Sequence, residues 1–278
     1  MRRLDPHPAL PRKRGRGSSR STESPLPRLR RRVEAGAVAL ADPLLWTAAL
    51  FFALLFGMPA LAPVFAWAFP GVSPPVFDRS SYFALFLSHA GIVATASAAA
   101  TIIGVALAVF ATRPAGQDFR PLIATLTITG QTFPPAAVLA LAVPAIGFGP
   151  KPTLVALFLY GLLPIVQNAI AGLETVPQAV REAADGIGLS PRQRLYQVEL
   201  PLAAPAILAG VRVSVTIAIG TATIGSTVGA LTLGTPIFDG LAANKLPYVI
   251  QGAALVALFA ILTDMAFARL ERYLGRPS

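Results

Sequence analysis

The sequence has no cysteine among its 278 residues, which excludes disulfides and thiol chemistry. Histidine is nearly absent as well. His7 and His89 are the only two, so no H-E-x-x-H motif and no metal-spaced cluster can be drawn. No G-x-x-x-x-G-K-[ST] loop is present, so the chain does not bind ATP through a Walker A. No nucleophile has a base partner. An enzyme is therefore not expected, nor is a metal or a cofactor. Charge is scarce too: 13% of residues are charged, about half the usual share in a soluble domain.

What the chain does have is apolar. Hydrophobic residues make up 54% of it and fall in long blocks, which predicts an all-α, polytopic membrane protein. Six runs cover 44–69, 85–112, 121–147, 152–174, 203–233 and 246–268. Each is long enough to cross a hydrocarbon core of roughly 30 Å at 1.5 Å per residue. In the first run Trp46 and Trp67 lie 21 residues apart, which fits one indole in each headgroup layer. Pro59 and Pro63 could kink or split that run.

The positive charge is unevenly placed. Eleven of the 23 Lys and Arg precede Val33, in a stretch rich in Pro, Ser and Arg without apolar periodicity. Residues 1–42 are read as a disordered cytosolic tail near anionic lipid headgroups, not as a nucleic-acid arm. With the N-terminus in the cytosol and loops alternating, 19 basic residues fall inside and three outside: Arg79, Lys151 and Lys245. The asymmetry predicts a plasma-membrane protein with both termini cytosolic and a permease domain over 43–278.

Between runs four and five lies a polar loop, 175–201. Thr175-Val176-Pro177-Gln178 reads as a capping box, and Ser190-Pro191-Arg192-Gln193 repeats that signal with Pro at the first helical position. Val176, Ala179, Val180, Ala183 and Ile187 recur at three- and four-residue steps, which predicts a short helix with one apolar face. Gly186 and Gly188 supply its stop. Pro201 and Pro205 mark where the fifth run begins. Such a helix serves either as internal packing or as a contact for another subunit.

Several polar groups lie inside the runs. Gln131, Thr132 and Phe133 fall near the middle of the third, next to Pro134 and Pro135, which lack backbone donors. They line a pathway, or they mark a kink satisfied by a neighbouring helix. Gln167 and Asn168, after Pro164, invite the same two readings. Gly225-Ser226-Thr227-Val228-Gly229 reads first as a GxxxG helix contact. Arg212 and Asp264 are read as paired or snorkelling, and His89 as a polar group near the outer interface.

Glu182-Ala183-Ala184, three residues, Gly188, nine residues, Val198, one residue and then Leu200-Pro201 resembles the EAA loop of inner-membrane permeases of binding-protein-dependent ABC transporters. Gln131-Thr132-Phe133-Pro134-Pro135, the stretch Ala156 to Ile165, Val198 to Ala203 and Ile207 to Arg212 are similar to the osmoprotectant branch of those permeases. The departure is Gly229 to Gly234, where relatives usually have a more glycine-rich run. The resemblance implies the type I importer (MetI-like) fold with six spans. It implies cytosolic ABC ATPase subunits, a second permease subunit forming a homodimer or heterodimer, and an extracytoplasmic substrate-binding protein. Glu182 would be the charged contact to the ATPase, Ala183 and Ala184 would allow close approach, and Gly188 would make the turn; Leu200 and Pro201 complete the motif. The cargo would be glycine betaine, choline or a related quaternary amine, with Phe133 and Tyr160 as aromatic candidates on the path. Another small solute on the same machine, or a stand-alone carrier or channel, are the rival readings; the EAA-like loop argues against the latter.

Overall fold

The computed structural model describes residues 42–274. The tail predicted over 1–42 thus lies outside the described residues, its last position excepted. Among the described residues all regular structure is helical.

The first apolar run forms α1 (Pro43–Gly57), a 3-10 turn over Met58–Leu61 and α2 (Ala62–Ala68). Pro59 and Pro63 each sit in the first turn of the segment they begin, where the missing N–H would have had no partner. Helix α3 (Tyr82–Ala111) starts at Ser81, whose hydroxyl accepts from the Ala84 amide at 3.2 Å. The third run is two helices, α4 (Arg120–Thr132) and α5 (Pro135–Ile146), meeting at a 93° bend. A proline disfavours the helical conformation at the residue before it and removes a backbone donor. Two consecutive prolines therefore favour extended backbone at Phe133 (ψ 136°) and Pro134 (ψ 139°), where the span breaks.

Helix α6 (Pro150–Glu174) leads into the polar loop, which holds α7 (Gln178–Gly186) and α8 (Pro191–Arg194). A π turn, Leu195–Glu199, joins α8 to α9 (Leu200–Ile224), which ends in a 3-10 turn over Gly225–Val228. Helices α10 (Thr235–Ala242) and α11 (Leu246–Leu274) follow. Five segments are long and apolar enough to cross a membrane, and six if the bent α4–α5 pair counts as one span.

The fifth span differs from its expected limits. The helical rod runs from Pro191 to Val228, not from 203 to 233. At Gly229 the backbone turns left-handed (φ 88°) and residues 229–234 fold back onto the helix ends. Their composition concealed this, because Ala230 and Leu233 are apolar and buried. Gly225 and Gly229 also part company: a Cβ on Gly225 would lie 2.5 Å from the Thr153 hydroxyl, a close helix contact, whereas Gly229 is a turn residue.

Helices α3, α6 and α9 form the centre. They touch at backbone distance, since a Cβ on Gly210 of α9 would stand 2.8 Å from the Pro164 carbonyl of α6. His89 is fully buried against its own chain here. Its Nδ1 accepts from the Leu233 amide at 3.2 Å, and its Nε2 faces the Ile219 carbonyl at 3.1 Å. One neutral tautomer, with the proton on Nε2, satisfies both contacts. The ring thereby ties the folded-back loop to α3 and α9. At the same end, buried Gln251 of α11 accepts from the Phe77 amide at 3.1 Å and from the Tyr82 hydroxyl, and donates to the Pro75 carbonyl at 2.9 Å. The loop between α2 and α3 is held in place by these bonds.

Arg212 and Asp264 pair as a two-pronged contact at 2.6 and 2.8 Å, and Glu271 joins Arg212 at 3.0 Å. Charges that would be costly alone in an apolar layer are thus neutralised between α9 and α11.

Candidate functional site

The polar loop is built differently at its two starts. Ser190 caps α8 as expected: its hydroxyl accepts from the Gln193 amide at 3.4 Å, and the Gln193 side chain returns a bond to the Ser190 amide at 2.9 Å. Thr175 does not cap α7. Its hydroxyl donates to the Gly172 carbonyl at 2.9 Å, closing α6, and α7 begins two residues later behind Pro177. Pro177 disfavours helical backbone at Val176, which fits the break between α6 and α7 falling there.

Helix α7 turns its apolar side outward. Ala179, Val180, Ala183 and Ile187 are exposed, Ile187 at 79%, while Val176 and Ala184 are buried against the chain. Glu182 is exposed beside them, with the Gln178 side-chain amide donating to it at 3.1 Å. Tyr196, just past α8, is exposed at 68%. Gly188 takes φ +84°, a conformation L side chains rarely adopt, and so permits the reversal between α7 and α8.

Leu200-Pro201 acts through the backbone. Pro201 has no N–H to offer the Gln197 carbonyl, and its ring crowds that group. The helix widens in response: the Leu200 amide bonds the Leu195 carbonyl, five residues back. This π turn sets Glu199 inward, where it is 1% exposed. Its carboxylate meets Arg113 from the loop after α3, Arg194 of α8 at 3.1 Å and Arg181 of α7 at 3.9 Å. Arg194 also reaches both oxygens of Asp185 in α7, each at 2.6 Å. A cavity of about 550 Å³ lies against this cluster, lined in part by Arg113, Arg181, Arg192 and Glu199. The sequence reading missed Glu199 as a site residue. The available signal was a carboxylate directly before Leu-Pro, downstream of Arg181, Arg192 and Arg194.

The six polar and aromatic path candidates are dispersed. Gln131 is half-buried, and its side-chain amide donates to the Tyr160 carbonyl at 2.6 Å. That carbonyl lost its helical partner because the residue four positions on is Pro164. Tyr160 itself is buried. Thr132 donates to the Ile128 carbonyl at 3.0 Å and Asn168 to the Pro164 carbonyl at 2.8 Å, so both turn back to their own helices. Phe133 is 53% exposed at the break, and Gln167 is exposed. Hydrogen bonding thus joins Gln131 to Tyr160 and leaves Phe133 and Gln167 on open faces.

A broken third span, an exposed amphipathic helix between spans four and five, and the spacing from Glu182 to Pro201 together define an importer's membrane component. The chain belongs to the family of binding-protein-dependent transport system inner membrane components, whose model matches residues 100–276. It is 44% identical over 187 residues to the osmoprotectant import permease protein OsmY of Salmonella typhimurium strain LT2, a match covering 67% of this chain and 79% of that one. It is also 44% identical over 144 residues to the choline transport system permease protein OpuBB of Bacillus subtilis strain 168, covering 52% and 66% respectively. The fold is similar to a chain of the inward-facing MetNI methionine ABC transporter, with TM-score 0.61 and 20% identity over 68% of this chain and 94% of that one. A member of this family is a multi-pass protein of the inner membrane that works with an ATPase and a substrate-binding protein. It is a permease subunit and not the enzyme that hydrolyses ATP.

Proposed function

We propose that this chain is the permease subunit of an ATP-driven importer of a small osmoprotectant such as glycine betaine or choline, with Thr175–Pro201 as its contact to the ATPase. The observation that carries the reading is the outward apolar face of α7. Val180 and Ala183, and Ile187 just past its end, stand exposed beside Glu182 on a helix too short to lie in the membrane as a span. Glu182 is the charged contact, and Ala183 keeps the approach close. Gly188 makes the return, while Ala184 seats the helix on its own chain. The names of the two relatives, one an osmoprotectant and one a choline permease, support the cargo class.

Both termini and α7 lie in the cytosol in this reading, which rests on the charge asymmetry of the loops. The path runs beside the break in the third span and is completed by a second permease subunit. Gln131, Thr132 and Phe133 flank the break, Tyr160 of α6 meets it through its carbonyl, and Gln167 and Asn168 would take part farther along α6. The permease domain occupies 43–278, behind the basic tail.

Two measurements test this. Gly188→Pro or Glu182→Lys is expected to reduce copurification of the ATPase subunit at least several-fold while the permease remains inserted. Unchanged association and transport in both variants would remove α7 from the contact. Uptake of labelled betaine, choline and proline by osmotically stressed cells, with and without the gene, tests the cargo. Loss confined to proline would contradict the assignment.

A further inference from the structure

Helix α7 is attached to its own chain by little apolar surface. Of its nine residues Ala184 alone is buried. The joints on either side, Thr175–Pro177 and Ile187–Leu189, are not helical, and Gly188 is in the second. A helix held only by such joints would swing without moving the spans behind it. Charged groups supply the missing attachment. Arg181 donates to the Leu173 carbonyl at 2.6 Å, which ties α7 to the end of α6. Arg194 grips Asp185 of α7 on one side and Glu199 on the other. Arg113, from the far side of the cavity, meets the remaining oxygen of Glu199. One buried carboxylate thus serves arginines from three segments of the chain. It stands on the π turn that begins the fifth span, a local widening of the kind often found at functional sites.

We propose that Glu199 is the positioning residue that makes α7, the end of α3 and the start of α9 move as one unit, so that displacement of α7 reaches the spans. The proposal rests on the assignment of α7 as the ATPase contact and names the residue that carries the motion onward. The physics is that of a buried anion among guanidinium groups. The carboxylate is buried, so its attraction to the guanidinium groups is screened less than at the surface, and each of its oxygens is held by a different arginine, Arg194 on one and Arg113 on the other. A neutral amide of the same shape has one acceptor oxygen and turns an N–H₂ toward an arginine. Glu199→Gln therefore separates at least one of the three segments from the others.

The test uses the full complex of permease, ATPase and binding protein in sealed vesicles. Three quantities are read: ATPase subunit retained on purification, ATP hydrolysed, and solute taken up. In Glu199→Gln the contact face of α7 is untouched. The ATPase is expected to copurify, and the ratio of solute taken up to ATP hydrolysed is expected to fall about ten-fold or more. A ratio equal to that of the parent complex overturns the proposal. Should Glu199→Gln not assemble, Arg113→Gln decides the matter, since Glu199 then keeps Arg194 and only the tie to α3 is cut. An unchanged ratio in Arg113→Gln likewise overturns it. Where both variants assemble, the double substitution is expected to lose no more than the worse single one, because both break the same link. Additive losses count against it. Failure of the underlying contact shows separately, as an ATPase that stays bound in Glu182→Lys.

Discussion

At the scale of single residues, one polar side chain, Gln131, answers a vacancy made by proline. Pro164 leaves the Tyr160 carbonyl without its helical donor, and the Gln131 side chain fills the place at 2.6 Å. We predict that Gln131→Leu lowers the thermal stability of the solubilised complex, by about 1–3 kcal/mol for a carbonyl left without a partner. The cause can be isolated. Alanine at 164 restores an N–H four residues after Tyr160, so Pro164→Ala in the Gln131→Leu background should recover part of the loss. Unfolding curves of the parent, single and double variants decide this; no recovery would mean that Gln131 acts otherwise than as that donor. His89 and Gln251 follow the same logic with loop backbone in place of broken helix. None of these pairings was legible in the sequence. A glutamine beside two prolines announces an unmet need but not which carbonyl, 29 residues away, supplies the other half.

At the scale of elements, the helices were largely legible and their ends were not. Long apolar runs gave the spans, and Pro134-Pro135 announced the break in the third. The end of the fifth was lost because residues 229–234 are as apolar as a span while folding back as a loop. Hydropathy reports burial, and a loop packed under helices is buried too. The start of α7 was misplaced because a capping-box spacing was fulfilled in letters at Thr175, whereas Pro177 set the backbone. The π turn was not foreseen, although its cause, Pro201, stood in the motif. Pro201→Ala is expected to let the turn relax toward α geometry by returning a donor for the Gln197 carbonyl. Removing one residue's worth of widening rotates what precedes it by about 100°. Glu199 would then leave its arginines, and uptake per ATP should drop as in Glu199→Gln. Amide exchange across 195–201 in the same variant checks that the local bonding changed; altered exchange with a normal uptake ratio would separate the turn from coupling.

At the scale of the molecule, the two ends differ in how they are tied. One end is fastened mostly by neutral bonds, through Gln251, Tyr248 and His89 to loop backbone, with the exposed Arg79–Asp239 pair at 3.2 Å and Lys245 on the Ser73 carbonyl beside them. The other is fastened by arginines, at Glu199, Asp185 and Glu174. We assign the arginine end to the cytosol. A cysteine at Ser190 should therefore be shielded from an impermeant reagent added outside intact cells, and one at Ala243 should react. Both positions are exposed on the chain surface, and the parent has no cysteine to add background. The reverse labelling pattern would invert the topology and remove the ATPase contact with it.

The pairing of Arg212 with Asp264 and Glu271 bears on how the protein is made. Arg212 leaves the ribosome 52 residues ahead of Asp264 and 59 ahead of Glu271. At ordinary synthesis rates of about 5–20 residues per second, that is a wait of roughly 3–10 s. During it the fifth span holds an uncompensated guanidinium, which lipid tolerates poorly. Span five is thus expected to be held less firmly in the bilayer until α11, which carries both carboxylates, has followed it.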